Sequence, residues 1–140
     1  MAGVPLDGGA PTTIFTATML DYFGGIAAAG GDVFFSLLPC DGGGCSANLL
    51  RSPSSGGAAA ALASGFSFVS SVAADSTHAY LGGSRCSDGG PCPNAVWRVG
   101  VDGEGPEALA TGLPSGAFAV DDSSVYWSEG NGKVARLTPK

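Results

Sequence analysis

The chain says nearly the same thing three times at a fixed spacing. Ile26-Ala-Ala-Ala-Gly-Gly-Asp-Val33-Phe-Phe becomes Val72-Ala-Ala-Asp-Ser-Thr-His-Ala79-Tyr-Leu, and then Phe118-Ala-Val-Asp-Asp-Ser-Ser-Val125-Tyr-Trp. Both steps, from Ile26 to Val72 and from Val72 to Phe118, are 46 residues. A fixed period of this length marks a repeat array, a solenoid or a propeller, because a single small unit cannot bury its own apolar face.

Each period reads as four short strands separated by turn residues. The first strands are 26–29, 72–75 and 118–121, small and apolar, as expected of a strand covered on both faces. A turn follows at 30–32, 76–78 or 122–124, and then an aromatic and β-branched second strand at 33–36, 79–82 or 125–128. Third strands at 48–52, 95–99 and 134–137 each carry an arginine, Arg51, Arg98 and Arg136. Fourth strands are expected at 59–63 and 107–110 after glycine-rich turns, and a similar piece, residues 12–17, opens the chain. The units are approximately 8–54, 55–101 and 102–140, and no composition break separates them, so the 140 residues read as one all-β domain.

Glycine (24) and proline (9) are abundant enough to warn of disorder, but 44% apolar residues and regularly spaced aromatics oppose that reading. No window shows helical periodicity, including the alanine-rich stretch 56–65. The net charge is -6 and the six Lys and Arg are scattered, so nucleic acid is not an expected partner. No apolar run is long enough to span a bilayer. The opening Met-Ala-Gly-Val-Pro-Leu-Asp lacks the charged and apolar regions of a signal peptide.

A four-stranded meander repeated at this period is the signature of a propeller blade. Phe118-Ala-Val-Asp-Asp-Ser-Ser-Val-Tyr-Trp-Ser-Glu-Gly-Asn-Gly-Lys-Val-Ala-Arg-Leu-Thr-Pro-Lys, preceded by Leu109-Ala-Thr-Gly-Leu, resembles the bacterial β-propeller repeats of the form IAVD…VYW…G.V.R.P..GG….LA.GL. The resemblance covers most of the chain and is loose at residues 15–25. It implies an exported bacterial protein of a class whose roles are mostly undefined. A β-sandwich is the competing architecture. Propellers have about four to eight blades, so three units do not close a ring. Either the chain is a piece of a longer propeller, which the missing signal peptide favours, or copies assemble. In an assembly, strand 12–17 of one copy completes the last unit of the next.

Four cysteines fall in two pairs, Cys40/Cys45 and Cys86/Cys92, both between the second and third strands of a unit. In the third unit that connection is short, with Asn131-Gly132 as an expected hairpin turn. Two local disulfides that staple glycine-rich loops are the preferred reading, and they imply an oxidising compartment, secreted, periplasmic or at the cell surface. A zinc site sharing all four thiolates, and free thiols, are the alternatives. Asp41 and Asp88 sit inside these loops, too few for a calcium cage.

Asp75, Asp121 and Asp122 lie just past the inner strand, where they either face a ligand near the axis or bond backbone N–H groups of their own turns. The first unit has Ala29 at the position of Asp75 and Asp121. His78, the single histidine, reads as a surface turn residue, and neither a nucleophile elbow nor a phosphate cradle is present. The three arginines form either an anion ring or ordinary stems packed at unit edges. Phe34, Phe35, Tyr80, Tyr126, Trp97 and Trp127 recur in phase and read as packing between units rather than as a sugar platform. The expected function is a non-catalytic scaffold or binding module for a protein, small-molecule or carbohydrate ligand, with no cofactor or metal. The alternative is part of a propeller lyase or hydrolase completed by other units.

Overall fold

The computed structural model describes residues 2–3, 10–18, 21–41, 44–86, 90–111 and 116–140. Asp88, the side chain of Asp41 and most of the opening heptapeptide lie outside them. Among the described residues there is no helix. The described residues form fourteen strands in succession: β1 Ala2–Gly3, β2 Thr12–Thr13, β3 Tyr22–Ala29, β4 Asp32–Leu38, β5 Cys40–Asp41, β6 Gly44–Cys45 and β7 Ala47–Pro53. Then come β8 Ala60–Ala74, β9 His78–Arg85, β10 Asn94–Gly100, β11 Glu107–Thr111, β12 Phe118–Val120, β13 Val125–Ser128 and β14 Val134–Leu137.

Seven strands form one antiparallel sheet in the order β11-β10-β9-β8-β7-β4-β3, and β12-β13-β14 form another of three. The 46-residue period is visible in the strand pairing. Ala27 opposes Phe34, Ala73 opposes Tyr80 and Ala119 opposes Tyr126. On the next strand Phe34 opposes Arg51, Tyr80 opposes Arg98 and Tyr126 opposes Arg136. Three sequences of modest likeness therefore build three hairpins in one register. The first unit is β3, β4, β7 and the start of β8; the second is the remainder of β8 with β9, β10 and β11; the third is β12 to β14.

The seven-stranded sheet curls over one core, and the three-stranded sheet packs on its opposite face. Strand alternation puts Ala27, Phe34 and Leu49 on one face of the first unit, and these share a core with Val72, Leu81, Trp97 and Val99 of the second. The opposite face of the second unit, with Tyr80 and Val96, packs on Val125, Trp127 and Phe118 of the third. Each large apolar side chain that is wholly covered, such as Phe34, Phe66, Leu49 or Leu81, stabilises the fold by about 1.5–3 kcal/mol. The sheet curls far enough that β3 lies against the second half of β8. There a Cβ on Gly24 would sit 2.2 Å from the Val69 carbonyl oxygen, and one on Gly25 would sit 2.6 Å from the Val72 nitrogen. Backbones this close exclude any side chain.

Three expectations change. The fourth strand of the first unit and the first strand of the second are one element, β8, because Gly65 takes φ +80° and turns the strand without ending it. Of residues 12–17, only Thr12–Thr13 is a strand, and within the chain it pairs with Ala2–Gly3. The β13–β14 connection closes with Glu129 N–H donating to the Lys133 carbonyl, so the loop has three residues, with Gly132 rather than an Asn-Gly pair in the left-handed region.

Candidate functional site

The hairpin turns of the three units share one rim, and two different chemistries build the same two-residue connection. In the first unit Ala29 opposes Asp32, and Gly30 and Gly31 take φ +61° and +85°. In the second, the Asp75 carboxylate replaces that glycine freedom. Its Oδ1 accepts from Thr77 N–H at 2.8 Å, Thr77 Oγ1 at 2.8 Å and His78 N–H at 2.8 Å, while Tyr80 OH donates to Oδ2 at 3.1 Å. The third unit repeats this: Asp121 Oδ1 accepts from Ser123 N–H and Ser124 N–H at 2.8 Å, and Tyr126 OH donates to Oδ2 at 2.7 Å.

Lys140 links the second and third turns. Its Nζ lies 2.6 Å from Asp75 Oδ2, donates to the Asp121 carbonyl and stands 5.6 Å from the centre of the Tyr80 ring. Burial pushes the Asp75 carboxyl up, but Lys140 and the Thr77 and His78 N–H donors outweigh it and hold the group well below the usual carboxylate range. Asp121 is lowered to about 2 by the Ser123 N–H and then by the Tyr126 hydroxyl. Burial, and then the neighbouring Asp75 charge, raise the Tyr80 phenol, which stays protonated. His78 Nδ1 is 2.9 Å from Thr77 Oγ1. Asp75 and Asp121 thus accept from N–H groups of their own turns and from a tyrosine hydroxyl, and Asp75 also pairs with Lys140. Asp122 is exposed at the tip of its turn.

The other rim carries the stapled loops. Cys40 is bonded to Cys45 and Cys86 to Cys92, with Cα separations of 4.2 and 4.1 Å. Cys40 and Cys45 also face each other across the small β5–β6 ladder. No cysteine among the described residues is free. Beside the second staple is a shallow hollow of about 250 Å³ lined by Arg85, Cys86, Pro91, Pro93 and Trp97. The Arg85 guanidinium carbon stands 5.9 Å from the centre of the Phe66 ring, and Trp97 Nε1 donates to the Gly83 carbonyl at 3.1 Å.

The arginines that recur in phase do not converge. Arg51 bonds Asp32 Oδ2 through Nε at 2.9 Å and Nη2 at 2.6 Å, and its Nη1 donates to the Val101 carbonyl of the second unit at 2.7 Å. Arg98 pairs with Glu107, and Arg136 is exposed on the third unit. Phe34, Tyr80, Trp97 and Trp127 lie in the two cores between units. Phe35 packs instead with Phe15 and Phe23, and Tyr126 stays half-exposed on the outer face of the third unit. Sequence reasoning missed Lys140 and Arg85. Neither recurs in the repeat, which was the signal that singled out the other residues.

No protein-family model, no curated protein and no solved structure matches this chain.

Proposed function

We propose that the chain is a non-catalytic binding module built of propeller-like units, working outside the cytoplasm, with the stapled loops as its recognition surface. The observation that carries this is the placement of the two insertions. They leave the same point of two successive units, each is closed by a disulfide, and the third unit spans that point with a three-residue loop. The fold therefore does not need the longer loops, and stapled loops with a cation-and-indole hollow beside them suit recognition. Side-by-side units in one register, each covering its neighbour's apolar face, are what a propeller requires. Two disulfides fit an oxidising compartment. The turn carboxylates are engaged by turn N–H groups, tyrosine hydroxyls and Lys140, which favours binding over acid–base chemistry.

The test is to probe the full chain against glycan and peptide arrays beside a variant whose 86–92 loop is replaced by the Gly130–Gly132 connection. Binding to one class that is lost in the short-loop variant, with its melting temperature retained, supports the reading. Binding that survives loop replacement, or no binding by the full chain, overturns it.

A further inference from the structure

The first and third units each keep one apolar face exposed. Leu49, Val96 and Val134 occupy equivalent places in the third strands. Leu49 and Val96 are 0% exposed because the next unit covers them, whereas Val134 is 78% exposed. Ile26, Val72 and Phe118 are likewise equivalent. Val72 is 6% exposed under the preceding unit, and Ile26 is 58% exposed. Phe23, on the same face as Ile26, is 46% exposed although Phe15 and Phe35 pack against it, with 6.3 and 5.9 Å between ring centres. Around Val134 is an open hollow of about 220 Å³ that includes Ala119, Tyr126 and Ser128. Of the five large apolar side chains exposed among the described residues, Phe23, Ile26 and Val134 lie on these two faces.

The way these two surfaces fit is already seen twice inside the chain. A small-residue inner strand, Gly25 and Ala27 in the first unit, receives the Val72 strand of the second at close range. Ala73 and Gly82 in the second unit stand in the same relation to Phe118, whose ring would lie 2.5 Å from a Cβ on Gly82. Ala117 and Ala119 continue the small strip in the third unit and are exposed, and Ile26 is an exposed knob on the first. A surface of one type at one end and its complement at the other make a heterologous, head-to-tail contact.

We propose that two copies of this chain associate head to tail, Ile26 and Phe23 of one laid against Ala119 and Val134 of the other. The contact rests on the equivalence of the faces and is independent of the loops as a recognition surface. Closure at two copies, giving six units in a ring, rests in addition on the propeller-like reading.

Sedimentation velocity of the full chain across a wide concentration range tests it, with Val134→Asp and Ile26→Asp as variants. Both residues are exposed in a single copy, so each variant keeps its circular dichroism and melting curve. The wild type is expected at twice 13.7 kDa. Each variant should weaken association by ~100-fold or more, because the contact would bury an unpaired carboxylate. An equimolar mixture of the two variants should pair again, through the one seam where Ile26 and Val134 are both intact. A wild type that is monomeric at every concentration overturns the proposal and leaves these faces to further units of the same kind. Association that survives either substitution also overturns it, since loss with Val134→Asp alone means two third units meeting face to face. An open series of larger species that both variants abolish keeps the contact and overturns the two-copy ring.

Discussion

Asp75 and Tyr80 are one device, repeated as Asp121 and Tyr126, and the first unit lacks both members together, with Ala29 and Phe34 in their places. A buried phenol without its carboxylate would be left unsatisfied, which accounts for the joint change. Tyr80→Phe is expected to cost about 1–2 kcal/mol, and Tyr126→Phe less because that hydroxyl is exposed. Equal costs in chemical denaturation would put the two hydrogen bonds in like environments and count against this. The same carboxylates set the acid limit. Their folded pKa values lie below the unfolded value of about 4, so the stability they contribute is present above that pH. It is lost as pH falls toward 2 for Asp121, and lower still for Asp75. Asp75→Asn should flatten the fall of stability between about pH 4 and pH 2, and an unchanged slope in urea melts taken across that range would show that Asp75 is not responsible. The role of Asp in these turns was legible, because an Asp followed by Ser or Thr is a turn-former wherever it stands. Lys140 was not, since nothing local to it points to a carboxylate in another unit.

At the scale of elements, β3 and β8 are held at backbone contact by Gly24 and Gly25. Gly24→Ala pushes a methyl group into the Val69 carbonyl and is expected to cost about 1–3 kcal/mol or more, read from the thermal midpoint. No loss would mean that the two strands separate freely. The disulfides act locally by contrast. Cys40→Ser with Cys45→Ser should cost about 2 kcal/mol or less, because the bridge closes only a short loop of the unfolded chain. The inner and second strands of each unit could be placed from sequence since apolar alternation and turn residues agree there. The joining of 59–63 to 72–75 in one strand could not, because glycine at 65 reads as a break and acts here as a bend. The approach of β3 to β8 was also hidden: a pair of glycines in a strand shows that something comes near, and does not say what.

The whole molecule is unevenly tied together. Backbone hydrogen bonds run continuously through the first two units, while the third is a separate sheet attached by the Tyr80, Val96 and Trp127 core and by Lys140. Amides of β12 to β14 are therefore expected to exchange with solvent at least ~10-fold faster than those of β8 to β10, with Lys140→Ala widening the gap. Uniform protection would show that the sheets open as one. Trp127→Ala, which empties the largest side chain from that attachment, should cost about 3–5 kcal/mol in thermal denaturation. The shared register also governs how such an architecture can grow. A tandem copy of residues 72–117 inserted after Ala117 sets each knob against a small-residue strip, because it adds one whole period. A copy one residue longer or shorter keeps that match only where the odd residue falls in a loop; inside a strand it turns the following side chains over. Lengthening by duplication is thus open to this chain in whole periods, and insertions of arbitrary size are confined to its loops.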